Sequence, residues 1–168
     1  MCSRVAGFDQ YTDLSRVRHV AGVVRDVETA LADFEKRTSL FNQREVLFGK
    51  EATDYERLSS VVKEFEPYAN LWQTADTWRR SQKDWLDGSL LALDPDDVSR
   101  VFEQMQRAMA KAVKTFQGVP GCLAVAKNLK EELASFSSSV QVVTALRNPG
   151  MRDRHWAALG EAPGTQIQ

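Results

Sequence analysis

The sequence is poor in the residues from which most small reactive sites are built. Its 168 residues hold only two histidines and two cysteines. Cys2 and Cys122 share no Cys-x-x-Cys spacing and neither stands beside a histidine, which excludes a zinc cluster and a disulfide framework. Two ordinary thiols in a reducing compartment are expected instead. His19 falls on the charged side of a helical stretch, and His155 has no second ligand at metal spacing. Neither points to metal binding or acid–base work.

Glycine-rich phosphate loops are missing too. No Gly-x-x-x-x-Gly-Lys-Ser/Thr or Gly-x-Gly-x-x-Gly occurs, and Gly49-Lys50 runs into Glu-Ala-Thr with no glycine at the required distance upstream. No Gly-x-Ser-x-Gly elbow is present either. The net charge of −1 leaves no broad attraction to nucleic acid or to an acidic membrane face. No apolar run approaches the ~18 residues of a membrane span, and Met1 to Gly7 lack the apolar core of a signal peptide. The expectation is a non-enzymatic protein without cofactor or metal, in the cytoplasm or on the cytoskeleton, that binds neither nucleic acid nor membrane.

What is present is helical periodicity. Charged residues at 27% and hydrophobic ones at 43% make the chain globular, with enough length for one sizeable core. Val17, Val20, Val24, Val27, Leu31 and Phe34 recur at alternating spacings of 3 and 4, a heptad seam that predicts a coiled-coil-prone helix from about Thr12 to Phe48. Gly49 is positioned to end it.

Thr53 or Asp54 can cap a second helix, whose seam runs through Leu58, Val62, Phe65, Ala69 and Trp72 to Ala75, Trp78 and Trp85. Pro67 interrupts it without shifting its phase, so one kinked helix over 54–86 is favoured over two. Asp94-Pro95-Asp96-Asp97 is a start signal, with a capping acid, proline at the first helical position and acids facing the helix dipole. Val98, Phe102, Met105, Met109 and Phe116 lie on one face of the helix that follows. Gly118-Val119-Pro120-Gly121 breaks it. Cys122, Ala126, Leu129, Leu133, Phe136, Val140 and Val143 then form another seam, with a bend or fray expected at Ser137-Ser138-Ser139.

No segment alternates with period two for more than a few residues. The fold class is all-α: an elongated bundle of long antiparallel helices with no sheet. Residues 1–10 are expected to be a flexible start, 11–49 the long helix, 50–159 a helical bundle and 160–168 a disordered tail. Trp72, Trp78, Trp85, Phe102 and Phe116 are its expected core anchors, because they follow the seams. A stacking platform of exposed tryptophans is the weaker alternative.

The densest chemistry is at the carboxyl end, where Leu146 is followed by Arg147, Asn148, Pro149, Gly150, Met151, Arg152, Asp153, Arg154, His155 and Trp156. Asn148 with Pro149 can cap a last helix over about 149–159. Three arginines with Asp153 among them point to an ion-pair cluster that ties helices together, more than to a phosphate site. Trp156 is expected to pack back on the helix bearing Val140 and Val143.

This eleven-residue string resembles a signature of the linker region of dynein heavy chains. The likeness extends to Phe41 through Gly49 with Thr53-Asp54-Tyr55. It continues in Phe65-Glu66-Pro67-Tyr68 with Leu71-Trp72, Trp78 and Trp85, which is similar to axonemal members in particular. Lys114-Thr115-Phe116 and Pro120-Gly121-Cys122 continue it, so that residues 41–159 are covered. Residues 11–40 are similar to the end of the dynein tail only in their helical pattern.

The resemblance implies a partial linker, the helical lever that bends and straightens across a ring of ATPase modules to drive movement along microtubules. It implies as partners the ring and the rest of the linker, with dynein intermediate or light chains, and a place in the axoneme of a cilium or flagellum. The ring and the microtubule-binding stalk have no counterpart in the sequence, which is therefore expected to be a fragment or a truncated product. A free-standing helical module that binds dynein subunits or a coiled-coil partner is the alternative.

Overall fold

The computed structural model describes residues 7, 8 and 11–161. Among these residues there are five α-helices and no strand. A 3-10 turn, Leu14–Arg16, leads into α1 (Val17–Leu47). Helix α2 is Glu56–Asp87, α3 Pro95–Thr115, α4 Pro120–Leu146 and α5 Asp153–Gly160, with a second 3-10 turn, Leu90–Ala92, before α3. Successive helices pack side by side, α1 on α2, α2 on α3 and α3 on α4. At ~1.5 Å per residue the first two are each about 45 Å long. Pairings such as Arg25 with Asp76, Trp78 with Phe102, and Ser99 with Thr144 require neighbours to run antiparallel. The expected all-α bundle is the fold observed.

The boundaries follow local chemistry. Helix α1 closes in a Schellman motif: Lys50 N–H donates to Glu45 O at 2.8 Å and Gly49 N–H to Val46 O at 3.0 Å. The motif needs a left-handed residue at its turn, which Gly49 supplies with φ +71. At its other end α1 starts later than the predicted Thr12. Asp13 caps the 3-10 turn instead, accepting from Ser15 N–H at 2.8 Å and Ser15 Oγ–H at 2.6 Å. Neither Thr53 nor Asp54 caps α2. Thr53 turns its N–H and hydroxyl to the Glu45 carboxylate, at 2.8 and 2.9 Å, and pins the α1–α2 connection to the end of α1.

Helix α2 passes through Pro67 unbroken, as the constant phase of its seam predicts. Helix α4 likewise runs straight through Ser137-Ser138-Ser139, where a bend was expected. Serine is a weak helix former, and the packed Leu133 and Val140 on either side hold the turn. Asp94 is the cap of α3 that the sequence predicts, accepting from the N–H groups of Asp96 and Asp97 at 2.9 and 3.3 Å.

One core unites the bundle. Val17, Val20, Val24, Val27 and Leu31 of α1 share it with Phe65 and Trp72 of α2, Phe102 and Met109 of α3, and Leu129 and Leu133 of α4. The core spans residues on both sides of the 49–50 boundary. Phe34, the last residue of the predicted seam, is exposed, with Arg37 over its ring at 5.9 Å.

The expected flexible start and patternless tail fall largely on residues 1–6, 9–10 and 162–168, outside the described residues. Phe8 is an exception. It is buried against Phe65 and Tyr68.

The Asp13 carboxyl is held below its ordinary pKa, first by the Ser15 hydroxyl and then by the Ser15 N–H. A depressed carboxylate contributes stability above its unfolded pKa and loses it as pH falls through the folded one. An NMR titration should therefore find Asp13 protonating at a lower pH than an unstructured aspartate. Ser15→Ala should move its midpoint upward, and an unchanged midpoint would contradict the cap.

Candidate functional site

Two regions concentrate polar and aromatic chemistry. The first lies where α2 crosses α3 and α4. The Trp78 ring is 5.1 Å from Phe136 and 6.4 Å from both Phe102 and Trp85, while Trp85 stacks on Phe136 at 6.1 Å. Trp78 lies one residue before Arg79, and both reach one carboxylate on α4. Trp78 Nε1–H donates to Glu132 Oε2 at 3.0 Å, and Arg79 donates to Glu132 Oε1 at 2.9 Å. On the opposite side of α2, the buried Asp76 carboxylate accepts from Arg25 of α1 at 3.5 Å and from Arg80. Gln73 reaches Glu28 of α1 at 2.6 Å. Residues 72–80 thus bind α1 on one face and α4 on the other.

The expected anchors Trp72, Trp78, Phe102 and Phe116 are buried; Trp85 is only half-buried. The Trp72 indole N–H is buried and finds no acceptor among the described residues. Sequence reasoning missed Glu132, Asp76 and Phe8. A seam marks apolar positions, and carries no sign of a carboxylate that crosses to another helix.

The second region is the carboxyl-terminal string, and here several expectations need correction. Asn148 does not cap a helix starting at Pro149. Its side-chain oxygen accepts from Gly150 N–H at 2.8 Å, and Met151 N–H closes a turn to Asn148 O at 2.9 Å, with Pro149 and Gly150 at the centre. That local turn competes with the helix and wins. A Cβ at Gly150 would lie 3.0 Å from the Asn148 oxygen, so glycine suits the close approach.

Helix α5 begins only at Asp153, after an extended Arg152. Its cap comes from His155, whose Nδ1 accepts from Arg152 N–H at 3.0 Å. Histidine thereby takes the place of the glutamate in a capping box. With Nδ1 as acceptor, the neutral ring carries its proton on Nε2. Arg154 Nε, 3.2 Å from Nε2, then faces another donor and adds no hydrogen bond.

No ion pair among the described residues includes Arg147, Arg152, Asp153 or Arg154, so the expected charge cluster does not form. Arg147 ties helices in another way: its Nε–H donates to Leu93 O at 3.0 Å, fastening the end of α4 to the α2–α3 connection. Trp156 is half-buried and outside the core, because α5 buries no residue fully. Its ring, with His155 and Leu159, leaves one side of α5 partly open to solvent. Nothing in this arrangement pairs a nucleophile with a base, and among the described residues no group of metal-ligating side chains comes together. Among them also, no helix is long and apolar enough to cross a membrane.

The arrangement is one of long helices bound by aromatic anchors and cross-helix carboxylates, ending in this string. The family model described as "Dynein heavy chain, N-terminal region 2" matches residues 58–168. The chain belongs to the dynein heavy chain family. It is 37% identical over 155 residues to dynein axonemal heavy chain 1 of Mus musculus, a match covering 92% of this chain and 4% of that protein. It is 31% identical over 144 residues to dynein axonemal heavy chain 3 of Homo sapiens, covering 86% and 3%. Against dynein axonemal heavy chain 12 of Homo sapiens it is 27% identical over 174 residues, covering 98% and 6%. The chain thus spans about 4% of the length of the first of these relatives. No solved structure matches it significantly. Within this dynein region, the family match takes in α2 from Leu58 onward together with α3, α4 and α5.

Two sets of variants test the site. Trp78→Phe should cost more stability than Trp72→Phe, by about 1 kcal/mol in chemical unfolding, because only the Trp78 N–H has a partner to leave behind. Equal costs would contradict the Glu132 bond. In the carboxyl-terminal turn, Arg147→Ala should cost about 1.5 kcal/mol and Asn148→Ala about 0.5 kcal/mol. Trp156→Ala should cost about 1–2 kcal/mol, below the ~3–5 kcal/mol of a fully buried ring. A larger loss at Trp156 than at Arg147 by several kcal/mol would contradict the half-buried placement.

Proposed function

We propose that the chain is part of the mechanical linker of an axonemal-type dynein heavy chain, and that it carries force without catalysing a reaction. The observation that best supports this reading is α2. It is 32 residues long, unbroken through Pro67, and braced on both faces by aromatic and carboxylate contacts. A lever must resist bending between its points of load, and a helix held by neighbours on two sides does so better than one free in solvent. Nucleotide turnover, under this reading, belongs to a ring of ATPase modules elsewhere in the heavy chain.

The partners would be that ring, the remaining linker, and dynein intermediate or light chains, with neither nucleic acid nor membrane among them. The relatives are named axonemal, which supports a place in the axoneme of a cilium or flagellum and on its cytoskeleton.

A second reading is a free-standing interaction module. It is favoured by the exposed apolar end of α1, where Leu47 and Phe48 are 80% and 76% exposed. A chimera decides between the two. Residues 17–160 of this chain would replace the matching stretch of mouse dynein axonemal heavy chain 1. Microtubule gliding should persist, and Trp78→Ala in the chimera should slow it while microtubule-independent ATP hydrolysis continues. Gliding at full speed with Trp78→Ala, in a chimera whose bundle is measurably loosened, would overturn the lever reading.

A further inference from the structure

The segment Lys36-Arg37-Thr38-Ser39-Leu40 sits in the half of α1 that the bundle does not hold. No residue of α1 beyond Leu31 is buried. Lys36, Arg37, Ser39 and Leu40 are all exposed, and the Ser39 hydroxyl makes no hydrogen bond among the described residues. Thr38 differs: it is half-buried and its hydroxyl donates to Glu35 O at 2.9 Å. Ser39 is also the one serine or threonine of the sequence with basic residues at both the third and second positions before it. An apolar residue follows.

We propose that Ser39 is a phosphorylation site for an arginine-directed serine/threonine kinase. Such a kinase presents carboxylates to the two cations before the serine and an apolar pocket to the residue after it, so Lys36, Arg37 and Leu40 are its recognition elements. Kinase grooves take extended peptide, which requires local unwinding of α1. The cost of that opening is low where a segment has no buried side chains to withdraw. In the transfer, Ser39 Oγ forms a bond to the γ-phosphorus of ATP and the bond from that phosphorus to the bridging oxygen breaks. ADP leaves, and the hydroxyl proton passes to the catalytic carboxylate of the kinase.

The site also has a structural consequence. Ser39 lines an open groove of about 670 Å³ between α1 and the start of α2. Glu35 and Asp54 line it as well, and no lysine or arginine does. A phosphate with nearly two negative charges meets repulsion there. The phosphorylated groove therefore opens and frees the 48–55 connection that Thr53 and Glu45 pin in the unmodified chain.

The test uses the full chain, the catalytic subunit of cAMP-dependent protein kinase and magnesium ATP. Peptide mass spectrometry should find close to one phosphate per chain, on Ser39. Ser39→Ala should abolish it and Arg37→Ala should slow it at least tenfold; both positions are exposed, so circular dichroism should remain that of the unmodified bundle. Amide exchange over 48–55 should speed up several-fold on phosphorylation. Phosphate on other residues, or labelling only after denaturation, would overturn the site. Labelling of Ser39 with unchanged exchange over 48–55 would overturn the groove opening.

Discussion

The bundle depends on the contact between Trp78 and Glu132. An indole this large contributes most when buried, yet its N–H needs an acceptor that the apolar neighbours cannot offer. Glu132 provides it from α4 at 3.0 Å, and Arg79 balances the charge that the carboxylate brings. Phe102, Phe136 and Trp85 close around the ring, so one side chain joins α2, α3 and α4 at a single point. On the other face Asp76 and Gln73 hold α1. Helix α4 packs most extensively on α3, and the Trp78–Glu132 contact ties that pair back to α2.

Burial falls away from that centre in both directions. Beyond Leu31 the first helix has no buried residue, and at the far end α5 has none either. Each end keeps partly exposed apolar groups, Leu47 and Phe48 at one and Trp156 at the other. Under the proposed linker reading, load would pass through the braced helices and the two ends would meet neighbouring parts of the lever.

The helices and most of the core were legible in the sequence because burial imposes a period. Val17 to Leu31 and Val98 to Phe116 repeat at helical spacing, and the structure buries the residues that set the spacing. Asp94 and Gly49 were legible as stops and starts, since each acts on the backbone of its own few neighbours. What the sequence concealed was the chemistry of tertiary partners. Nothing near Glu132 announces that it meets Trp78, and the arginines around Asp153 read as an ion-pair cluster although Arg147 bonds a distant carbonyl instead. The Asn148 turn was misread because asparagine serves equally in a helix cap and in a turn. The choice was settled by Gly150, close enough for its N–H to reach the Asn148 oxygen.

Native-state hydrogen exchange tests the central claim, that α2 binds three neighbours into one braced unit, most directly. The amides of α2, α3, α4 and the Val17–Leu31 part of α1 should open with one shared free energy, and Trp78→Ala should lower it for all of them together by about 3–5 kcal/mol. Residues 32–47 and 153–160 should exchange faster and independently of that substitution. Separate opening energies for α1 and α4, or a loss confined to α2, would contradict the account.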